Sequence, residues 1–200
     1  MNDSSEKITA HDKISNSRYN RVAIALHWLL AMGLIYQLSL GIWMDGVPKT
    51  PPGLRADWFN WHKSVGMVLG LLIVLRVLWR LTHASPALPR TMPRWQQRGA
   101  SLSHALLYGC MVAMPLSGFL GSSFTKYPIK FFGMPLPRLW EVNSDLKALC
   151  GSVHTGASYL FMLLIALHVA AALMHLLRRD GVFSRMWPAS QPVQTVGTPG

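Results

Sequence analysis

The sequence predicts an all-α integral membrane protein, a four-helix bundle in up-down-up-down order. Half of its 200 residues are hydrophobic and only 14% are charged. The apolar residues form four blocks of about 20 residues, the length that a helix needs to cross about 30 Å of hydrocarbon. Short connections between successive blocks favour antiparallel neighbours. The predicted spans are residues 22–43, 61–81, 102–124 and 153–177.

Two segments are predicted to lie outside the bundle domain, which we place at residues 21–188. Residues 1–20 are polar. Because no small-residue cleavage site accompanies the first block, we interpret this block as a retained helix rather than a signal peptide. Residues 189–200 are rich in Pro, Thr and Gly, which is typical of a disordered tail.

Prolines mark the three predicted connections, residues 44–60, 82–100 and 125–152. Proline lacks an N–H and fixes φ, so these residues are expected to interrupt the helices. Within the third connection, residues 141–150 are expected to form a short interfacial helix that leads into the fourth span.

The net charge of +11 raises the possibility of a nucleic-acid partner. However, the charges flank apolar spans, which favours a membrane protein with no nucleic-acid partner. Twelve of the 19 lysines and arginines lie on the side that would hold both termini and the second connection. The positive-inside rule then places both termini in the cytoplasm.

Histidines are the unusual residues of the spans, and six fall within the four blocks. Five are His27, His62, His104, His154 and His168, and the sixth, His175, lies near the cytoplasmic end of the fourth block. A polar side chain in hydrocarbon is costly unless it finds a partner inside the bundle. Interhelical hydrogen bonds, a proton path or a metal cofactor would each supply one.

Spacing and topology favour a cofactor. His154 and His168 are separated by about 21 Å of helical rise and by about 40° less than four full turns, so they share a face at two depths. In an antiparallel bundle His154 lies at the depth of His62, whereas either His168 or His175 could meet His27. Two histidine pairs at two depths are what two six-coordinate haems require.

Five segments carry a family resemblance: RVAIALHW at 21–28, NWHKSVG at 60–66, LRVLWR at 75–80, VHTG at 153–156 and LHVAAALMH at 167–175. Over residues 18–188 the chain resembles the bacterial cytochrome b561 family, the four-helix dihaem cytochromes of the inner membrane. The resemblance implies two haem b groups.

Carried over residue by residue, the resemblance implies that His27 and His168 bind the cytoplasmic-side haem and that His62 and His154 bind the outer haem. His104 and His175 become second-tier residues, as does Lys63. For His104, a satisfied polar residue is as good an interpretation as a functional one.

Haem propionates need polar partners, and Arg76 and Arg80 lie one helical turn apart where they could supply charge-assisted hydrogen bonds. The alternative for both arginines is snorkelling to lipid headgroups.

The resemblance implies single-electron transfer, with superoxide as donor outside the membrane and ubiquinone as acceptor within it. Lysines on the outer side would attract a small anion. Two alternatives are an electron-transfer subunit that serves a hydrogenase or other dehydrogenase, and a small transporter with a histidine-lined path. The absence of acidic residues from the spans disfavours the transporter.

Overall fold

Four long helices make up most of the chain in the computed structural model, which describes residues 18–51, 53–84, 86 and 92–188. They are α1 (Arg21–Asp45), α2 (Leu54–Thr82), α3 (Arg94–Ser123) and α4 (Ser144–Arg178). All four are long and apolar enough to cross a membrane, which confirms the predicted bundle. The predictions made for residues 1–17 and 189–200 lie outside the described residues.

Consecutive helices pack against each other, and α3 and α4 share the most extensive contact. We call the end of the bundle that holds Arg21 and Arg178 the terminal end. The opposite end, where α1 finishes at Asp45 and α4 begins at Ser144, is the loop end.

Three helix starts differ from the prediction. α2 begins at Leu54 and α3 at Arg94, so the connections expected at 44–60 and 82–100 are shorter. The expected separate helix at 141–150 is instead the first part of α4, whose start is capped by the Asn143 side chain accepting hydrogen bonds from the Asp145 and Leu146 amides. The prediction erred because the apolar blocks locate the hydrocarbon, whereas helices continue into polar turns beyond it.

A small hairpin, not predicted from the sequence, occupies the α3–α4 connection. Strand β1 (Lys130–Phe131) pairs antiparallel with β2 (Met134–Pro135). The turn residues Phe132 and Gly133 have φ of 47° and 91°, the left-handed conformation that two-residue hairpin turns need. Strands of two residues are too short to produce a recognisable alternation of apolar residues.

Two clusters of buried side chains form the core. Leu30, Leu69 and Ile73 join α1 to α2, and Cys110, Phe161 and Leu164 join α3 to α4. Many large apolar side chains instead point outward, and Leu177 is 83% exposed. Lipid must cover such a surface in a helix that spans a membrane.

The chain folds back on the start of α1 after α4 ends. A 3-10 helix (Phe183–Met186) follows, and the Trp28 indole donates a hydrogen bond to the Met186 carbonyl at 2.7 Å. Arg18 donates to the Trp187 carbonyl at 2.8 Å. This fold-back segment, residues 183–187, fastens the terminal end of the bundle.

Candidate functional site

His62 on α2 and His154 on α4 face each other near the loop end. Their ring centroids are 6.4 Å apart and the ring planes are inclined at 80°. We call these residues the loop-end pair. The sequence predicted this pairing from topology and depth, and the structure brings the two rings together.

The orientation of His154 is fixed by α3. Its Nδ1 lies 3.0 Å from the Met114 carbonyl oxygen and 3.3 Å from the Ser117 hydroxyl. A carbonyl only accepts hydrogen bonds, so Nδ1 carries the proton and Nε2 is left with a free lone pair. This is the tautomer that binds a metal, with the other ring nitrogen held by a backbone carbonyl.

His62 has a buried ring nitrogen without a partner. Its Nδ1 has no hydrogen bond among the described residues, and neither has the nearby Gln37 Oε1. The Gln37 amide nitrogen is used, since it donates to the His62 carbonyl at 2.7 Å. An unpaired buried polar atom costs about 1–3 kcal/mol, so these atoms indicate a partner other than the described residues.

Glycines make room for both rings of the loop-end pair. A Cβ added at Gly118 of α3 would lie 3.0 Å from His154 Cε1, and one at Gly41 of α1 would lie 3.4 Å from His62 Cε1. One turn beyond Gly118, a Cβ at Gly121 would meet Cys150 at 3.1 Å. Small residues thus allow α3 and α4 to approach closely beside the ring.

A second pair of histidines, the terminal-end pair, lies inside the bundle in the half nearer the terminal end. His27 on α1 and His168 on α4 have ring centroids 6.2 Å apart with an interplanar angle of 62°. His104 on α3 also reaches His168, at 5.6 Å between centroids. Of the two partners that depth allowed for His27, His168 is the one beside it.

Both pairs fit a haem iron. An iron bonded to two imidazole nitrogens at about 2 Å each, with each ring centre about 1 Å further back, separates the centroids by about 6 Å. The observed separations are 6.2 and 6.4 Å. Among the described residues, no three His, Cys, Asp or Glu side chains converge on a site for a bare metal ion, whereas a haem needs only two ligands from the protein.

The two arginines suggested as propionate partners lie in different environments. Arg76 is buried, with 7% of its surface exposed, and donates to the Ala23 carbonyl at 2.6 Å. Its charge lies near the His27 ring. Arg80, one turn further along α2, is exposed. A guanidinium has five N–H groups, so Arg76 retains donors for a second partner.

The other second-tier residues are His175 and Lys63. Neither takes part in the ring contacts within the two histidine pairs. The His175 ring forms a hydrogen bond with the Asp180 carboxylate. Partial desolvation raises the pKa of the Asp180 carboxyl, but the hydrogen bonds from His175 and the Val182 amide lower it to below its usual value. Lys63 is half-buried beside His62 in the chain.

Several residues around the site were not found by sequence reasoning. They are the supporting groups Gln37, Gly41, Met114, Ser117 and Gly118. The glycine spacing at 118 and 121 is the one signal that could have indicated a close approach of helices. A carbonyl that orients a histidine leaves no trace in the sequence.

Four membrane-spanning helices that enclose paired histidines are the fold and site of a membrane-bound b-type cytochrome. Residues 18–189 match the family described as prokaryotic cytochrome b561. The chain belongs to the prokaryotic cytochrome b561 family. It is therefore a membrane electron-transfer protein of a family that uses haem b.

Curated relatives align over most of their length. The chain is 28% identical over 176 residues to cytochrome b561 homolog 1 of Escherichia coli (strain K12), covering 86% of this chain and 98% of the relative. It is 30% identical over 178 residues to homolog 2 of the same organism, covering 84% and 90%. It is 26% identical over 181 residues to the probable superoxide oxidase CybB of Yersinia pestis, covering 86% and 97%.

Proposed function

We propose that this protein is a dihaem cytochrome that oxidises superoxide and passes single electrons to ubiquinone. The observation that carries the proposal is the presence of two histidine pairs, each with its centroids about 6 Å apart. About 21 Å of helical rise separates the α4 members, His154 and His168. Two redox centres at these depths would conduct electrons between one membrane face and the interior.

The histidines would act as axial ligands, His62 with His154 and His27 with His168. When bound, each haem supplies an iron that gains and loses one electron. The Met114 carbonyl accepts a hydrogen bond from His154 Nδ1, which leaves Nε2 as the nitrogen that would bind iron. Arg76, whose charge lies near His27, would bind a haem propionate. Two imidazole ligands for each haem would favour electron transfer over oxygen binding.

Superoxide as donor is supported by the loop end and by one relative. Lys63 is half-buried there, and three further lysines are exposed: Lys126, Lys130 and Lys147. Positive charge around a site raises the encounter rate of a small anion. The name of the Yersinia relative includes superoxide oxidase activity. Two superoxide ions would give two molecules of oxygen and two electrons, which with two protons reduce one ubiquinone to ubiquinol.

The charge distribution supports the proposed direction of electron transfer. With the arginine-rich terminal end in the cytoplasm of a bacterial inner membrane, the loop end faces outward. Superoxide would then react at the loop-end pair, while lipid surrounds the helices and carries the quinone.

The test is superoxide-dependent ubiquinone reduction by purified, haem-loaded protein. We expect reduction that stops when superoxide dismutase removes the donor. His62→Ala and His154→Ala should each lose one haem and the activity. His83→Ala is the control, because His83 stacks on Trp79 outside both pairs. If the protein binds two haems but lacks this activity, the favoured function is that of an electron-transfer subunit of a separate dehydrogenase. Co-purification would identify that dehydrogenase.

A further inference from the structure

The terminal-end pair has a third histidine beside it. His104 on α3 lies 5.6 Å from His168 between ring centroids, with the planes inclined at 77°. The corresponding distance from His27 to His168 is 6.2 Å. His168 therefore has two imidazole neighbours, from α1 and α3, at separations close to the 6 Å or so that an intervening iron requires.

Depth in the bundle favours His104 more than His27 as a partner for His168. His104 is ten residues from the α3 start at Arg94, and His168 is ten residues from the α4 end at Arg178. Each therefore lies about 15 Å along its helix from the terminal end, whereas His27 lies about 9 Å along α1.

The tautomer of His104 is also that of a ligand. Its Nδ1 lies 2.7 Å from the Ala100 carbonyl oxygen, so Nδ1 carries the proton and Nε2 is left with a free lone pair. His154 is held in the same way by the Met114 carbonyl. His104 is exposed in the protein, and among the described residues the aromatic ring in contact with it is that of His168.

The loop-end pair lacks this redundancy. Among the described residues, the only histidine ring in contact with His154 is that of His62. The two ends of the bundle thus differ in a way that an experiment can use, because removal of one ligand leaves a substitute at the terminal end alone.

We propose that His104 is a reserve axial ligand, which takes the place of His27 opposite His168 when His27 is lost or withdrawn. The inference rests on the proposed haem at the terminal-end pair. The replacement exchanges one neutral imidazole nitrogen for another, so it requires no proton and no electron.

Matched alanine variants in the full chain test this proposal. Haem per chain, spin state by electron paramagnetic resonance, and midpoint potentials would be measured for H27A, H62A, H104A and the double variant H27A/H104A. We expect H27A to keep about two low-spin haems with one potential shifted, whereas H62A and H27A/H104A keep about one. H104A alone should keep both, which also shows that its loss does not unfold the protein.

Equal haem content and spin state in H27A and H27A/H104A would overturn the proposal. The loop-end haem in the same samples reports that the bundle is folded. H27A/H104Q, which keeps a polar side chain without an imidazole, should match the double alanine variant; a low-spin second haem in it would also overturn the proposal. Absence of haem from the unaltered protein would instead overturn the proposed function.

Discussion

The ring of His154 is positioned by atoms that belong to α3. Its Nδ1 meets the Met114 carbonyl, and its Cε1 lies over the bare backbone of Gly118. One contact sets the direction of the ring and the other gives it space. Both groups act through the histidine. If His154 binds a haem as proposed, changes to either group should alter that haem while the histidine is still present.

Gly118→Ala should disturb the loop-end haem. The new Cβ would lie 3.0 Å from His154 Cε1, so the ring must move, and we expect about tenfold weaker haem retention at this site. Haem titration and the midpoint potential would measure the effect. Gly109→Ala in the same helix is the control, since an added Cβ there meets nothing within 4 Å. Equal effects of the two substitutions would contradict this account.

Arg76→Leu should weaken retention of the terminal-end haem or shift its potential. The substitution also removes the buried hydrogen bond to the Ala23 carbonyl, and a charge-assisted bond of this kind contributes about 1.5–3 kcal/mol. Haem content, potential and thermal unfolding would be measured together. The exposed Arg80 provides the matched control as Arg80→Leu, and an unchanged haem in Arg76→Leu would rule out the role assigned to Arg76.

At the level of elements, Ser64 ties the hairpin to α2. Its hydroxyl is fully buried, with 1% of the residue exposed. It accepts a hydrogen bond from the Phe132 amide at 2.9 Å and lies 3.2 Å from the Lys130 carbonyl. Trp61 packs edge-on against Phe132 at 5.4 Å. The hairpin is therefore held by two α2 residues, Trp61 before His62 and Ser64 after it.

Ser64→Ala should loosen this hairpin. The Phe132 amide would lose its partner, at a cost of about 1–3 kcal/mol if it stays buried. Faster amide hydrogen exchange in residues 130–135 would report the change. Ser158→Ala serves for comparison, because among the described residues the Ser158 hydroxyl donates only to the Thr155 carbonyl of its own helix. Unaltered exchange in the hairpin would show that strand pairing alone holds it.

For the whole molecule, the sequence predicted best those features that depend on one known length, such as the thickness of the bilayer or the rise per residue of a helix. The number of spans follows from bilayer thickness, and the depths of His62 and His154 follow from rise per residue. The start of α2 at Leu54 could not be predicted, because hydropathy does not register a helix that continues into water. The proximity of His104 to His168 depends on how α3 rotates about its axis, which side-chain packing determines.

The membrane orientation is a prediction for the molecule as a whole. The arginine-rich terminal end should face the cytoplasm. A fluorescent protein fused after residue 200 should therefore fluoresce in bacteria, whereas alkaline phosphatase fused there should be inactive. The same reporters inserted in the hairpin connection provide the reciprocal control. Active phosphatase at the C-terminus would reverse the assigned direction of electron flow.

The arrangement of the pairs has a consequence for how the protein is made. Each pair takes one ring from α4, which leaves the ribosome after the other three helices. A nascent chain that ends at α3 therefore offers neither pair. The partner of the Trp28 indole, the Met186 carbonyl, is synthesised later still. With the proposed ligands, haem would therefore be bound only after the complete bundle has been inserted, and a chain arrested before α4 should bind no haem.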